Sequence, residues 1–308
     1  MGSQSSKSLE PIVDTNESEK SARNVLENIG IEIYNQEKKK KDPYEQQLKG
    51  TLSSARFVDG LSRDIKTIRY HNGNSCNLDH LFHTNIITED GRDPCDGRKK
   101  ERFGEDEGFE CGSRIRDYNK KDSGTACAPF RRQNLCDKNL EYLINENTNT
   151  TDDLLGNVLV TAKYEGASIV EKHPNRGSSE VCTALARSFA DIGDIVRGRD
   201  MFKPNSDDKV EKGLREVFRK IHDKLKQPEK DYYNADEKGN YYKLREHWWK
   251  ANRDQVWKAI TCSAGQKDTY FIKPNGRVYS FADAYCGRGD ENVPTYLDYV
   301  PQFLRWFN

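Results

Sequence analysis

Eight cysteines constrain this chain more than any other feature of its sequence. Their number is even, their spacing is irregular, and none forms the C-x-x-C pair typical of zinc ribbons and thioredoxin-like redox sites. This pattern favours disulfides, and disulfides imply an oxidising compartment. A boundary near residue 128 leaves four cysteines on each side, so the count allows two bridges in each half, although spacing alone does not fix the pairing. The predicted disulfide cysteines are Cys76, Cys95, Cys111, Cys127, Cys136, Cys182, Cys262 and Cys286.

The chain is polar and electrically neutral. Its 50 basic residues balance 50 acidic ones, so net charge predicts no nucleic-acid partner and no general attraction to an anionic membrane. Charged residues make up 32% and hydrophobic residues 34% of the sequence, which indicates a modest core under a large solvated surface. No apolar run approaches the roughly 20 residues of a membrane-spanning helix.

Helical periodicity dominates the sequence outside residues 70–136. Apolar residues at helical spacing predict helices over 21–37, 151–172, 179–198, 207–227 and 240–263, and the last four have stripes that can pack as a bundle. Residues 70–136 hold five cysteines among many Gly, Asp and Asn, which predicts loops and short strands held by disulfides. Two more short strands are predicted over 270–272 and 278–281, and a short helix within 44–60. The predicted fold class is mainly α.

Several stretches are long enough to carry a family resemblance. In chain order, the motifs are Pro129–Cys136 (PFRRQNLC), Ala186–Ile195 (ARSFADIGDI), Asn252-Arg253, Val256–Cys262 (VWKAITC) and Asp298–Phe307 (DYVPQFLRWF). Together they resemble the Duffy-binding-like domain, alpha class, which stands at the head of the erythrocyte membrane protein one adhesins of the malaria parasite. Residues 1–60 resemble the N-terminal segment that precedes that domain.

The resemblance implies a disulfide-stabilised fold with distinct parts. The expected organisation is an N-terminal segment over 1–60 (a flexible leader plus a helix), a cysteine-rich subdomain 1 over 61–128, a helical-bundle subdomain 2 over 129–297, and the start of a truncated third subdomain over 298–308. Met201–Lys203, and the presence of only Cys262 and Cys286 between Ala186 and Trp306, resemble the two-cysteine subgroup associated with rosetting.

The resemblance also implies a function, which is adhesion to host cells by a parasite variant surface antigen. The expected location is the extracellular face of the infected erythrocyte membrane, as the N-terminal head of a larger membrane-anchored protein. Expected partners are heparan-sulfate-type glycosaminoglycans or blood-group sugars of erythrocytes, complement receptor one and host antibodies, with the domain itself a monomer. The alternative is a structural and antigenic head with little ligand affinity of its own in this truncated form.

Three basic clusters are the predicted glycan-binding residues, because repeated sulfates and carboxylates bind several cations of one face at once. The predicted residues are Lys38, Lys39, Lys40, Lys41; Arg98, Lys99, Lys100, Arg102; and Arg215, Arg219, Lys220, Lys224. A solvated charged face is the competing interpretation for each cluster. Arg131 and Arg132 lie inside a family motif and are predicted to be structural. A neutral sugar would instead need aromatic faces, for which the tyrosines at 232, 233, 241 and 242 are the alternative.

Catalysis and metal binding find no support in the sequence. There is no P-loop, no G-x-G-x-x-G, no G-x-S-x-G and no H-E-x-x-H, so no catalytic residue, cofactor or metal is predicted. Cys76, His80 and His83 have ligand-like types, but no fourth ligand is evident and Cys76 is better placed in a disulfide. Arg288-Gly289-Asp290 spells an integrin-type tripeptide, which alone does not define a binding turn.

Overall fold

Five long helices form the body of the protein in a computed structural model. The structure describes residues 22–39, 43–58, 67–87, 91–98, 102, 108–111, 115, 127–143, 148–203, 208–272 and 280–306. The long helices are α1 (Ala22–Lys39), α2 (Thr151–Lys172), α3 (Ser179–Arg197), α4 (Lys209–Lys224) and α5 (Tyr242–Ile260). All five were predicted, and the mainly α fold class is confirmed.

Short elements connect these helices. Three antiparallel strand pairs are β1 (Arg56–Val58) with β2 (Thr67–Arg69), β3 (Phe109–Cys111) with β4 (Cys127–Pro129), and β5 (Phe271–Ile272) with β6 (Ser280–Phe281). Short helical turns are Phe130–Gln133, Glu229–Tyr232, Ala284–Gly287 and Gln302–Trp306, and 3-10 turns are Glu45–Leu48, Leu52–Ser54, Ser75–Asn77, Lys138–Tyr142 and Leu297–Tyr299. The short helix predicted within 44–60 is therefore two 3-10 turns.

Local sequence explains where the central helices begin and end. The Thr150 hydroxyl accepts a hydrogen bond from the Asp153 amide at 3.1 Å, which caps α2. The Ser178 hydroxyl caps α3 in the same way, accepting from the Glu180 amide at 3.2 Å. Gly198 ends α3 with φ of 73°, a left-handed conformation that glycine adopts without a steric penalty. Helix α3 therefore begins and ends within one residue of the predicted range 179–198.

The core lies where α5 packs between α2 and α3. Trp248, Trp249 and Trp257 are fully buried on α5, and Phe189 of α3 contacts two of them. Gly166 of α2 faces the last turn of α5 so closely that a Cβ there would overlap the Ile260 carbonyl. Close approach of the two backbones therefore depends on glycine at this position.

All eight cysteines form disulfides, and their pairing corrects one expectation. The bridges are Cys76–Cys262, Cys95–Cys136, Cys111–Cys127 and Cys182–Cys286. Two of the four cross residue 128, so the arrangement of two bridges within each half is wrong. The physical reason is that β4 and the following turn fold back onto the 91–98 loop, while the end of α5 contacts the Ser75–Asn77 turn.

Helix α1 packs on the segment that precedes the C-terminal turn. The half-buried Glu27 carboxylate accepts hydrogen bonds from the Thr295 hydroxyl at 2.7 Å, the Tyr296 amide at 2.9 Å and the Tyr270 hydroxyl. Burial raises the pKa of Glu27, and these donors only partly oppose that rise. The ring of Tyr34 lies 4.9 Å from that of Tyr296. The N-terminal segment is therefore attached to the body by a specific polar contact.

Candidate functional site: the basic surface

The first predicted cluster lies at the C-terminal end of α1. Lys38 and Lys39 are exposed there, and the Lys38 ammonium lies 5.9 Å from the centre of the Tyr34 ring. Lys40 and Lys41 are outside the residues that the structure describes. The described half of this cluster is accessible to a ligand in solution.

The second predicted cluster is occupied by internal partners. Arg98 donates to Asp137 at 2.6 Å and to the Leu135 carbonyl at 2.9 Å. Arg102 is only 2% exposed and pairs with the buried Glu165 at 2.7 Å. Lys99 and Lys100 lie outside the described residues. Arg98 and Arg102 therefore serve the interior, where a buried guanidinium needs a paired carboxylate, and a soluble glycan has no access to Arg102.

The third predicted cluster lies on the exposed face of α4. Arg219 donates to Glu216 at 2.9 Å and to Asp223 at 2.7 Å, and Arg215 lies 3.7 Å from Glu211. The hydrogen bond from Arg219 lowers the pKa of Glu216, which keeps this carboxylate ionised. Neighbouring carboxylates thus offset much of the positive charge that the arginines contribute.

The lysines of α4 differ from its arginines. Lys224 is exposed and donates to the Asn149 carbonyl at 2.8 Å, and no carboxylate of the described residues lies within ion-pair distance of it. Lys220 is half-buried and, among the described residues, has no carboxylate within ion-pair distance. The cluster therefore retains two cations for an anionic ligand.

A further basic cleft was not predicted. It lies beside the Cys76–Cys262 bridge, has a volume of about 400 Å³, and is lined by Gly73, Asn74, Ser75, Cys76, Lys258, Cys262 and Arg288. Lys258 and Arg288 are 30 positions apart, so no cluster of charges in the sequence marks the site. Knowledge of the disulfide pairing is the signal that would have found it.

The tyrosines considered for a neutral sugar are mostly packing residues. Tyr233 is buried, and the ring of Tyr232 lies 5.2 Å from that of Tyr44 and 3.1 Å below the Lys243 ammonium. Tyr241 packs at 5.0 Å on the His222 ring, whereas Tyr242 is 44% exposed. This set presents one open ring rather than an aromatic platform.

The family motifs meet in a buried ionic network. Arg131 pairs with Asp191 at 2.5 Å, and Arg305 pairs with the same carboxylate at 2.8 Å. Arg132 pairs with Asp200 at 2.5 Å, so the structural role predicted for both arginines is confirmed. Burial alone would raise the pKa of Asp191, but Arg131 and Arg305 outweigh it and lower that pKa to about 2. Three distant motifs are thus joined by charge pairs in the interior.

The remaining sequence signals have structural uses. The Arg288 guanidinium of the integrin-type tripeptide donates to the Cys262 carbonyl at 2.9 Å, and the Cys76 thiol is in a disulfide. Within the described ranges, no group of three His, Cys, Asp or Glu side chains is placed to hold a metal ion. None of the helices over those ranges has the length and apolarity needed to cross a membrane.

Comparison with known proteins identifies the fold. The Duffy binding domain family matches residues 125–305, more than half of the chain, and the N-terminal segments of PfEMP1 match residues 21–56. The NTS-DBL1-alpha and CIDR-gamma double domain of PfEMP1 from the Plasmodium falciparum varO strain is 59% identical, with a TM-score of 0.86 over 94% of this chain and 43% of that one.

More distant relatives share the same architecture. A DBLβ domain of PfEMP1, solved bound to human ICAM-1, is 28% identical, with a TM-score of 0.68 over 93% of this chain and 60% of that one. The Duffy receptor of Plasmodium vivax is 26% identical over 71% of this chain. The chain spans only 19% of that receptor's length. With its N-terminal segment, its four disulfides and its helical body, the chain belongs to the Duffy binding domain family, in the NTS-DBL1-alpha class of PfEMP1.

Proposed function

We propose that this domain adheres to host cells by binding heparan-sulfate-type glycosaminoglycans of the erythrocyte surface. Membership of a receptor-binding family supports adhesion, because a relative of the same fold is solved bound to human ICAM-1. On this proposal, the domain is displayed outside the infected erythrocyte as the head of a larger membrane-anchored protein. We therefore propose a binding function and no catalytic one.

The exposed lysines carry the glycan part of the proposal. Lys38 and Lys39 end α1, and Glu37 is the acidic residue of that last turn. Over the part of the chain that the structure describes, Lys220 and Lys224 of α4 have no carboxylate within ion-pair distance. A sulfated polymer has charges at short intervals, so it can contact such lysines in succession and release counterions. Arg98 and Arg102 are left out of the proposed surface because their guanidinium groups are held by interior carboxylates.

The test is binding of the non-reduced protein to immobilised heparin over a salt series. We expect retention near physiological salt and steep loss above it, because each neutralised sulfate contributes to the salt dependence. Replacing Lys38 and Lys39 with Gln should move elution to lower salt. The control replaces Lys209 and Lys238, which are exposed lysines outside the three clusters. A folded wild-type protein that does not bind even at low salt would rule out the glycosaminoglycan proposal.

A structural and antigenic head is the second candidate. The observation in its favour is that the exposed arginines of α4 are paired with carboxylates, which weakens this face as an anion site. It predicts a folded monomer that binds antibodies but neither heparin, blood-group sugars nor complement receptor one. The same heparin series, extended to these ligands, separates the two candidates.

A further inference from the structure

We propose that the cleft beside the Cys76–Cys262 bridge binds one anionic group, a sulfate or carboxylate, of an acidic glycan. The inference rests on the proposed function and assigns it a defined subsite. The volume of about 400 Å³ lies in the range of about 300–1,000 Å³ that ligand sites occupy. Among the described residues, no aspartate or glutamate lines the cleft.

The two cations of the cleft are not compensated by acids. Lys258 is exposed near the end of α5, Arg288 is half-exposed, and neither has a carboxylate within 4.0 Å among the residues that the structure describes. Arg219 of α4, by contrast, is shared between two carboxylates. At the cleft an incoming anion therefore displaces no carboxylate of the described residues, while at Arg219 it must displace an existing partner.

Arg288 is held in place before any ligand arrives. Its Nη1 donates to the Cys262 carbonyl at 2.9 Å and to the Thr261 carbonyl at 3.3 Å, and the guanidinium lies 4.9 Å from the centre of the Tyr285 ring. Its Nε and Nη2 have no partner among the described residues. A fixed guanidinium loses little side-chain entropy on binding, and its remaining donors suit the paired oxygens of a sulfate or carboxylate.

The disulfide brings the opposite wall of the cleft into position. Cys76 and Cys262 are 186 positions apart, and their bridge holds the loop that contains Asn74 against the end of α5. The Asn74 side-chain oxygen accepts from the Cys76 amide at 3.0 Å. Its NH₂ group has no partner among the described residues, so it supplies a neutral donor beside the two cations.

The first test neutralises Lys258 and measures the salt dependence of heparin binding. Lys258→Gln should reduce the slope of log affinity against log salt by about one, because one ionic contact is lost. Lys209→Gln is the matched control, since Lys209 is an exposed lysine in the first turn of α4, where removing a cation does not harm the helix. Equal slopes for the two variants would overturn the cleft assignment.

A second measurement follows Lys258 in the unmodified protein. Acetylation of the Lys258 side-chain amine, read by mass spectrometry, should be slowed by heparin oligosaccharides. The rate of acetylation at Lys209 should not change. Heparin stripped of its sulfates, used in place of heparin as the protecting ligand, separates the two anions: protection that persists assigns the carboxylate, and protection that disappears assigns the sulfate.

The outcomes separate this inference from the function on which it rests. Wild-type protein that fails to bind heparin overturns the glycosaminoglycan proposal and the subsite with it. Wild-type protein that binds heparin while Lys258 stays unprotected overturns the subsite alone. Arg288→Gln is a supporting variant only, since Arg288 also donates to the Thr261 and Cys262 carbonyls that follow α5.

Discussion

Replacing Asp191 with Asn tests whether the buried ionic network stabilises the fold. The carboxylate of Asp191 accepts from Arg131 through one oxygen, and from Arg305 and Gln302 through the other. An asparagine of the same shape directs its NH₂ group at one of these donors and removes the negative charge. Two buried guanidinium groups would then share fewer acceptors in an interior that solvates charge poorly.

The expected loss of stability is large. Breaking a buried ion pair by removing one partner costs about 3–5 kcal/mol, which is a considerable part of the total stability of a domain. The pKa of Asp191 gives an independent figure, because it lies at about 2 rather than at its ordinary 3.8. That difference corresponds to roughly 2–3 kcal/mol of stability.

The sign of the pH dependence follows from the lowered pKa. The folded state holds the ionised carboxylate more strongly than the unfolded chain does, so this stabilisation is present above pH 3.8 and is lost as the pH falls towards 2. In Asp191→Asn that loss is absent. The free-energy gap between wild type and variant should therefore be about 3–5 kcal/mol at pH 7 and shrink by about 2 kcal/mol near pH 2.

Urea unfolding of the oxidised protein at several pH values measures both quantities. Asp223→Asn is the matched control, since Asp223 pairs with Arg219 at the surface and should cost at most about 1 kcal/mol. A loss at pH 7 no larger than that of the control would refute the reasoning. So would a gap between wild type and Asp191→Asn that does not change with pH.

Two further predictions concern packing. Gly166→Ala should destabilise the body by about 1–3 kcal/mol or more in urea unfolding, because the new methyl group overlaps the backbone of α5. Gly289→Ala is the control and should have little effect, because a Cβ there meets nothing within 4 Å. Equal effects of the two substitutions would contradict the close contact between α2 and α5. Glu27→Ala should raise the rate of amide hydrogen exchange along α1 and leave the core formed by α2 to α5 protected, because only the donors that hold α1 lose their acceptor. An unchanged exchange rate in α1 would contradict this attachment.

Sequence periodicity predicted α2 to α5 because each of these helices buries a stripe of apolar side chains. Val210, Leu214 and Val217 of α4 are buried as the spacing predicts. The pattern is less informative for α5, where Trp249 and Trp257 lie on the flank of the apolar stripe and are nevertheless buried. Their indole NH groups donate to the Asp298 carboxylate and to the Cys286 carbonyl, both far away in the chain. A helix enclosed on several sides has no exposed flank for a pattern to reveal.

The candidate site was harder to predict than the helices. A count of local charges cannot tell that Arg102 meets Glu165 inside the protein, since the two are 63 positions apart. It also cannot tell that Lys258 and Arg288 share a cleft. Both arrangements depend on tertiary contacts, and the cleft depends on a disulfide partner that spacing leaves undetermined. The basic cluster at the end of α1 could be predicted from the sequence because its lysines are consecutive.

The Cys76–Cys262 bond has a mechanical consequence for a domain of a receptor-binding family. Tension applied to the chain on the two sides of this bond passes through the sulfur atoms and bypasses the enclosed loop, whose ends are 186 positions apart. At about 3.3–3.6 Å per residue, roughly 600 Å of contour length is withheld from extension. Under tension, the oxidised domain would lengthen only through segments outside that loop, and helices α2 to α5, which all lie inside it, would carry little of the load.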